Sequence, residues 1–226
     1  MHRQQRFRES GELYRIATQL HLEEYTERHH DICCLFLGIA QGVEGQGQLE
    51  EAAKYYRLVA ERAKSFLGAE HRTTMGCNYR LGRLLRKKGH LQESKELLFA
   101  TVKIQIRALG EDHLKTLWSM YEIGRVLYEE GKYKESEGWL TKCFQRSLKT
   151  LGPWYKLTTW SCKHLGICHE GEQRYTDALA IYHDLLEELL CNHPTISKIQ
   201  ERIEVLCSFI EEEQTRKEGS DLRTLT

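Results

Sequence analysis

Four side chains of the kind that bind zinc lie close together in the sequence. They are Cys162, His164, Cys168 and His169. Thiolate and imidazole groups are the usual ligands of tetrahedral zinc, so this group could hold a structural metal ion. On one helix, however, His164 and Cys168 share one side while Cys162 and His169 share another, and a single helix cannot bring all four together. We therefore interpret the two cysteines as core residues and predict no metal site.

Catalytic chemistry has little support elsewhere in the sequence. The pairs His29-His30 and Cys33-Cys34 could supply a thiolate and an imidazole, but neither a third orienting residue nor an oxyanion-forming turn accompanies them. The glycines of residues 42–47 do not have the order of a dinucleotide fingerprint, and the sequence contains no P-loop and no Gly-x-Ser-x-Gly elbow. We predict that the chain is not an enzyme and binds no cofactor.

The charge balance gives no support for a nucleic-acid or membrane-surface role. Lysine and arginine total 33, aspartate and glutamate also total 33, and the formal net charge is zero. The densest cationic run consists of Arg80, Arg83, Arg86, Lys87 and Lys88. We interpret this run as a solvated helix face and expect neither nucleic acid nor a membrane among the partners. An RNA- or metal-dependent regulator remains an alternative, recognisable by a steep salt dependence or by bound zinc.

Composition and cysteine placement indicate a helical protein from a reducing compartment. Only two prolines occur, and 29% of the residues are charged against 40% hydrophobic, which fits long helices with polar outer faces. The eight cysteines include no Cys-x-x-Cys pair and mostly follow apolar helical patterns, so we expect reduced thiols and a cytoplasmic location. The charged and polar residues 1–10 do not resemble a secretory segment, and the longest apolar run, 32–40, is too short to span a bilayer.

The elements that position these side chains recur every 42 residues. Leucine followed by glycine marks the period at Leu67-Gly68, Leu109-Gly110 and Leu151-Gly152. Threonine recurs at Thr74, Thr116 and Thr158, and a turn position recurs at Gly89, Gly131 and Gln173. Small residues twelve positions apart recur as Gly82 with Ser94, Gly124 with Ser136, and Gly166 with Ala178. Their size would let two helices approach closely, and a fixed period of this length predicts stacked helical hairpins, which usually form a binding surface.

The period divides the chain into four predicted helix pairs and one closing helix. The pairs are 32–68, 72–110, 114–152 and 155–191. We expect 195–214 to form a capping helix and 215–226 to be disordered. Residues 1–30 match the second half of an earlier repeat, which predicts either a half repeat of a larger, truncated array or an N-terminal capping helix. Because the first helix of the first pair is rich in glycine, we expect it to be short or loose.

The repeat motifs resemble those of the tetratricopeptide repeat, in the 42-residue version of the kinesin-light-chain subclass. Leu-Gly-x-x-His-x-x-Thr occurs at 67–74 and 109–116, and Gly-x-Tyr-x-Glu-Ser occurs at 131–136. The pair 155–191 departs from the pattern, with Tyr155 in place of histidine and Gln173 in place of glycine. The resemblance covers about residues 7–191 and implies an all-α fold, a right-handed α-solenoid of tetratricopeptide-like hairpins that binds proteins or peptides.

In this family the first helix of each hairpin lines a concave groove, and counting from the Leu-Gly pairs gives the side chains that would face it. The candidate binding residues are Tyr79, Arg83, Arg86, Trp118, Tyr121, Arg125, Tyr128, Trp160 and Lys163. Aromatic and arginine side chains are preferred hot spots of interfaces. We call this set the predicted groove stripe. With Glu170 as its main opposing charge, the stripe predicts a partner segment with acidic residues and a bulky apolar anchor.

Two other interpretations of the stripe stay open at this stage. The side chains could form an ordinary solvated surface, with Trp118 and Trp160 packed between helices. Alternatively, the chain could be a structural or self-association module of a larger signalling protein, because the stretch 116–137 is similar to repeats that follow NACHT or NB-ARC domains. Such a module would associate through its incomplete terminal repeats, whereas a peptide receptor would stay monomeric.

Overall fold

The computed structural model describes residues 29–188 and 196–224, and in these ranges every regular element is an α-helix. The helices are α1 (His29–Gly45), α2 (Leu49–Leu67), α3 (Arg72–Lys87), α4 (Leu91–Leu109), α5 (Leu114–Glu129), α6 (Tyr133–Leu151), α7 (Lys156–Gly171), α8 (Tyr175–Glu188) and α9 (Ile196–Thr224). No helix in the described ranges is both long and apolar enough to cross a membrane. The all-α hairpin array expected from the 42-residue period is confirmed.

The chain forms two compact units, one ending at Val126 and one beginning at Leu127. In the first unit α1 packs on α2, α2 on α3, and α3 on α4, around a core that includes Ile39, Tyr56 and Leu84. In the second unit α6 packs on α7, α7 on α8, and α8 on α9, around a core that includes Cys162, Tyr182 and Leu206. These pairs of helices, which follow one another in sequence, are therefore neighbours in space, as short connections require.

The repeated Leu-Gly-x-x-His-x-x-Thr motif builds a locked loop between hairpins. Gly68 and Gly110 follow the last residues of α2 and α4 with φ of +89° and +88° and extended ψ, a region open essentially to glycine alone. The imidazole Nδ1 of His71 accepts the backbone N–H of Thr73 at 3.2 Å, which caps α3. The Thr74 hydroxyl then donates to the Gly68 carbonyl at 2.8 Å, and the second loop repeats both contacts.

The third loop keeps the glycine but loses both side-chain contacts. Gly152 has a φ of +82°, yet Tyr155, in the place of the histidine, gives α7 no side-chain cap. The Thr158 hydroxyl is buried and has no hydrogen-bond partner among the described residues. A buried, unsatisfied hydroxyl costs about 1–3 kcal/mol, so this loop is the less stable version of the motif.

The small residues of the repeat lie where the two helices of a hairpin touch. A Cβ atom added to Gly82 would come within 2.6 Å of Leu98, and one added to Gly166 would come within 2.3 Å of the Tyr182 ring. Ser94, twelve residues after Gly82, donates its hydroxyl hydrogen bond to the Gly82 carbonyl at 2.7 Å. The close approach therefore depends on the missing side chain of glycine, and serine adds a hydrogen bond across it.

Two boundary predictions differ from the structure. The glycine-rich first helix is not short, because α1 runs for 17 residues. Of its glycines, Gly45 ends the helix and Gly47 lies in the turn after it, so only Gly38 and Gly42 weaken its interior. The closing helix continues to Thr224 rather than ending at 214, since residues 211–218 are mostly good helix formers. The half repeat predicted for 1–30 lies almost wholly outside the described residues.

Replacing Gln173 with glycine is expected to raise the free energy of unfolding by about 0.5–1 kcal/mol. Gln173 has a φ of +61°, whereas glycine holds the equivalent turn positions 89 and 131 at φ of +81° and +75°. A side chain in the left-handed region is strained, and the greater freedom of glycine in the unfolded chain offsets part of the gain. Urea unfolding of Gln173→Gly and of Gln173→Ala measures the effect, and equal stability of the two variants would contradict it.

Candidate functional site

The positive charges of the predicted groove stripe on α3 are already balanced by acidic residues of the chain itself. One carboxylate oxygen of Glu44 on α1 lies 2.6 Å from the Arg83 guanidinium and 3.4 Å from the Lys87 amine. The other oxygen of Glu44 accepts the Tyr56 hydroxyl at 2.8 Å. Burial alone would raise the pKa of Glu44, but the charge of Arg83 and its neighbours outweighs burial, and the pKa is lowered. Glu44 therefore stays ionised and neutralises this part of the stripe.

Arg86 is not a surface residue of the stripe, because it forms a buried ion pair. Its Nε lies 2.9 Å from Glu122 on α5, and the two side chains are 5% and 4% exposed. Tyr79, one turn before Arg83, is half-buried, and its pKa is raised by burial and by the charge of Glu122. The structure thus brings together three predicted residues of α3, and two of them, Arg83 and Arg86, are already paired with Glu44 and Glu122.

On α5 the stripe is built around a buried tyrosine. Tyr121 is 1% exposed, and its ring meets Trp118 edge to face at a centroid distance of 5.8 Å. The Arg125 guanidinium lies 5.7 Å from the centre of the same ring, within cation–π range. Trp118 and Arg125 are half-buried, so they can be reached from outside while Tyr121 supports them. Tyr128, also half-buried, belongs to the second unit and packs against Tyr133 at 5.4 Å.

The second unit has several exposed aromatic residues at and just before α7. Trp160 is 37% exposed, and the Lys156 amine lies 4.1 Å from its ring centre. Trp154 and Tyr155, in the loop before α7, are 44% and 36% exposed. Lys163 is exposed, whereas Glu170, expected to oppose the basic residues, pairs with Arg202 of α9 and accepts the Tyr182 hydroxyl at 3.1 Å.

A second cationic group, which lies outside the predicted groove stripe, is found on α3 and α5. Arg72, Gly76 and Arg80 are four residues apart and share one face of α3. A Cβ atom added to Gly76 would meet nothing within 4 Å, so open space lies over this glycine. Lys115 at the start of α5 is half-buried, and its pKa is lowered by burial and by the charges of Arg72 and Arg80. We call Arg72, Arg80 and Lys115 the cation triad.

The cation triad differs from Arg83 and Arg86, the two paired arginines of α3, in its lack of carboxylate partners. Within the described residues, none of its three side chains forms an ion pair with a carboxylate. The sequence carries a signal for it, because Arg72 and Arg80 flank a glycine in a position where the next two units carry Trp118 and Trp160. The predicted groove stripe omits Arg72 and Lys115 because the count begins at positions 76 and 118, about one turn after them. It omits Arg80 because the spacing of three and four residues passes from Tyr79 to Arg83.

The described residues do not bring the four candidate zinc ligands together as one group. Burial raises the pKa of Cys162 to about 12 and that of Cys168 to about 11, so both remain thiols. Cys162 lies 3.5 Å from the Ile181 carbonyl, and Cys168 lies 3.1 Å from the Ser136 hydroxyl. His164 contacts the Trp160 carbonyl of its own helix at 2.9 Å. These contacts place the two cysteines in the core of the hairpin.

A different cluster, Glu137, His169 and Glu172, has the composition of a metal site in the described residues. The place of a cation is taken by Arg174, whose guanidinium lies 2.9 Å from Glu137, 3.0 Å from Glu172 and 2.7 Å from Asp177. Burial and the neighbouring Arg174 lower the pKa of His169 and outweigh the attraction of Glu137, so the imidazole stays neutral near pH 7. The cluster is thus an internal ion-pair network.

Helical hairpins with aromatic and basic side chains on their first helices define a repeat protein of the protein-interaction class. The relationship to a family is carried by residues 73–149, which match the tetratricopeptide repeat family. This match supports the tetratricopeptide-repeat resemblance that the motifs predicted, and it covers the second and third helix pairs. A comparison with curated protein sequences gives no match.

Solved structures support the same fold. The nearly identical TPR-like repeats attributed to a kinesin light chain of Podosopora anserina are 23% identical, with a TM-score of 0.68 over 88% of this chain and 90% of that chain. BtubC (BKLC) from P. vanneervenii is 15% identical, with a TM-score of 0.71 over 97% and 87%. A Rap protein complexed with competence and sporulation factor is 15% identical, with a TM-score of 0.65 over 82% of this chain and 49% of that chain. At these identities the likeness concerns the fold alone.

Proposed function

We propose that the chain is a non-catalytic scaffold that binds an acidic segment of a partner protein on the first helices of its hairpins. The observation that carries this proposal is the cation triad around the open space at Gly76. Three cations without carboxylate partners are costly to hold together, and a bound anion would remove that cost. The solved Rap complex, which has the same fold, contains a bound factor, and this supports a binding role for the repeats.

The predicted groove stripe keeps a place in this proposal, with a different division of roles. Tyr79, Trp118, Arg125, Tyr128, Trp160 and Lys163 are half-buried or exposed and remain candidate contact residues. Arg83, Arg86 and Tyr121 support them through the contacts with Glu44, Glu122 and Trp118. The acidic residues of a partner would then be bound by the cation triad, and an apolar anchor by an aromatic ring such as that of Trp118.

Reversing one charge of the cation triad is expected to weaken binding of an acidic peptide at least about tenfold, since a charge-assisted contact contributes about 1.5–3 kcal/mol. Fluorescence anisotropy of a labelled glutamate-rich peptide with an embedded tryptophan compares the wild type with Lys115→Glu and Arg80→Glu. Lys103→Glu is the matched control, because Lys103 is exposed on α4, the second helix of the hairpin. Equal affinities for Lys115→Glu, Arg80→Glu and the wild type would contradict the proposal.

Self-association is a second candidate function, favoured by the apolar surface of α9. Val205 and Phe209 are 43% and 53% exposed, although Phe209 stacks on Tyr175 at 6.4 Å. Exposed apolar side chains on a terminal repeat are suited to pairing with another copy. Sedimentation over a concentration series decides between the two functions: a dimer abolished by Phe209→Glu supports self-association, and a monomer at all concentrations excludes it. The cytoplasmic location and the absence of nucleic-acid partners stay predictions.

A further inference from the structure

We propose that the cation triad, Arg72, Arg80 and Lys115 around the open space at Gly76, holds a phosphoryl group carried by the partner segment. This inference rests on the proposed function, because it assigns the acidic group that the same site would take. A phosphorylated serine or threonine side chain is the source to which we commit. Binding would then depend on modification of the partner.

The positions of the three cations suit one compact anion. Arg72 and Arg80 are separated by eight residues, or about 12 Å along α3, with Gly76 midway between them. Both long side chains can lean toward the space over Gly76, where a Cβ atom would have no neighbour within 4 Å. Lys115 approaches from α5 closely enough that both guanidinium charges act on its amine. Arg72 and Arg80 therefore flank one open position on the same face of α3, and Lys115 of α5 lies within electrostatic range of both.

The charge of the triad exceeds what a single carboxylate supplies. Elsewhere on α3 each inward arginine has its own glutamate, Arg83 with Glu44 and Arg86 with Glu122. At the triad three positive charges meet, and within the described residues no acidic side chain pairs with them. A carboxylate brings one negative charge and two oxygens, whereas a phosphoryl group brings about −1.5 to −2 and three strong acceptor oxygens.

The chemistry of the donors favours phosphate as well. Two planar guanidinium groups can each give a pair of parallel hydrogen bonds to phosphoryl oxygens, and the lysine amine adds a compact point charge. The half-buried position of Lys115 lowers the local dielectric and strengthens its attraction for a dianion. A nucleic-acid backbone carries only one charge per phosphate and needs a long basic track, which the neutral net charge of the chain does not favour.

The test compares labelled peptide libraries that have degenerate flanking positions and a central phosphoserine, glutamate or serine. We expect the phosphoserine library to bind at least about tenfold more tightly than the glutamate library, a difference of about 1.4 kcal/mol, and the serine library to bind most weakly. Arg72→Gln and Arg80→Gln should each reduce the ratio of phosphoserine affinity to glutamate affinity to about one. Lys103→Gln, an exposed position on α4, should leave the preference for phosphoserine unchanged. Inorganic phosphate should displace the phosphoserine library from the wild type, and Arg80→Gln should weaken that competition.

A second variant tests the space itself without removing a charge. Gly76→Trp places in α3 the residue that α5 and α7 carry at the equivalent positions 118 and 160, so the helix should tolerate it. With circular dichroism showing an unchanged fold, this variant should lose phosphoserine preference while it retains all three cations.

The outcomes separate this inference from the proposed function. Equal binding of phosphoserine and glutamate libraries, both lost in Lys115→Glu, would overturn the phosphoryl assignment and leave acidic-peptide binding standing. Binding of neither library would overturn both. Displacement of the phosphoserine library by single-stranded RNA at lower concentration than by the unlabelled phosphopeptide would assign the triad to nucleic acid and overturn the inference.

Discussion

Replacing Arg86 with methionine is expected to lower the free energy of unfolding by about 3–5 kcal/mol, the largest loss that we predict for any single substitution. The change leaves Glu122 buried without the guanidinium that lies 2.9 Å from it. Methionine preserves most of the volume of the arginine stem, so loss of packing contributes little. Urea unfolding followed by circular dichroism measures the effect directly.

Two further variants identify the cause of that loss. The double variant Arg86→Met/Glu122→Leu should recover most of the lost stability, because an apolar pair of similar volume often replaces a buried ion pair without cost. Arg83→Met is the matched control on the same helix, since the Arg83–Glu44 pair is partly exposed and solvent screens it. If Arg86→Met and Arg83→Met lowered the free energy of unfolding by the same small amount, Arg86 would behave as a surface residue.

The same experiment separates two roles for Arg86. The repeat register predicts it among the peptide contacts, a role in which its loss would reduce binding and leave stability intact. The structure places its side chain at 5% exposure between α3 and α5, a position in which its loss reduces stability first. Measuring peptide affinity and unfolding on one preparation of Arg86→Met therefore shows which role dominates.

The helix ends could be predicted closely because local backbone chemistry fixes them. Helices α2, α4 and α6 end at Leu67, Leu109 and Leu151, where the Leu-Gly pairs of the sequence indicated. The glycine after each leucine adopts a conformation that few other residues can reach. A signal that depends on one residue and its own backbone does not need the tertiary structure to be interpreted correctly.

The electrostatics of the site could not be predicted in the same way, because they join residues far apart in the sequence. Arg83 reaches Glu44 across 39 positions, and Arg86 reaches Glu122 across 36 positions. Glu44 lies 42 residues before Arg86 and so belongs to the same helix face one unit earlier. Extending the stripe backward by one period would have revealed this acid. Which of two nearby arginines it would pair with depends on side-chain packing.

The last helix pair, 155–191, and the loop before it show how departures from the repeat coincide with exposed aromatic residues. Where the first two loops carry acidic residues followed by a capping histidine, the third carries Trp154 and Tyr155. It leaves the Thr158 hydroxyl unsatisfied and holds Gln173 at positive φ. Local rules are broken most often where a sequence serves something besides stability. This pattern supports a contact role for the aromatic surface of the second unit.

Replacing Gly166 with alanine is expected to lower the free energy of unfolding by about 1–3 kcal/mol, although alanine is the better helix former. The new Cβ atom would lie 2.3 Å from the Tyr182 ring, which is buried at 1% exposure. The ring cannot move away easily, because its hydroxyl lies 3.3 Å from the Lys163 carbonyl and 3.1 Å from Glu170. Helices α7 and α8 would have to separate.

The matched control is Gly138→Ala in the interior of α6, where an added Cβ atom meets nothing within 4 Å. That change should raise the free energy of unfolding by about 0.5–1 kcal/mol, so the same substitution has opposite signs at the two positions. In a Tyr182→Leu background, which removes the far end of the ring, Gly166→Ala should cost much less than in the wild type. A stabilising Gly166→Ala, or a cost that the Tyr182→Leu background leaves unchanged, would show that the two helices are not held together by the absent side chain at this position.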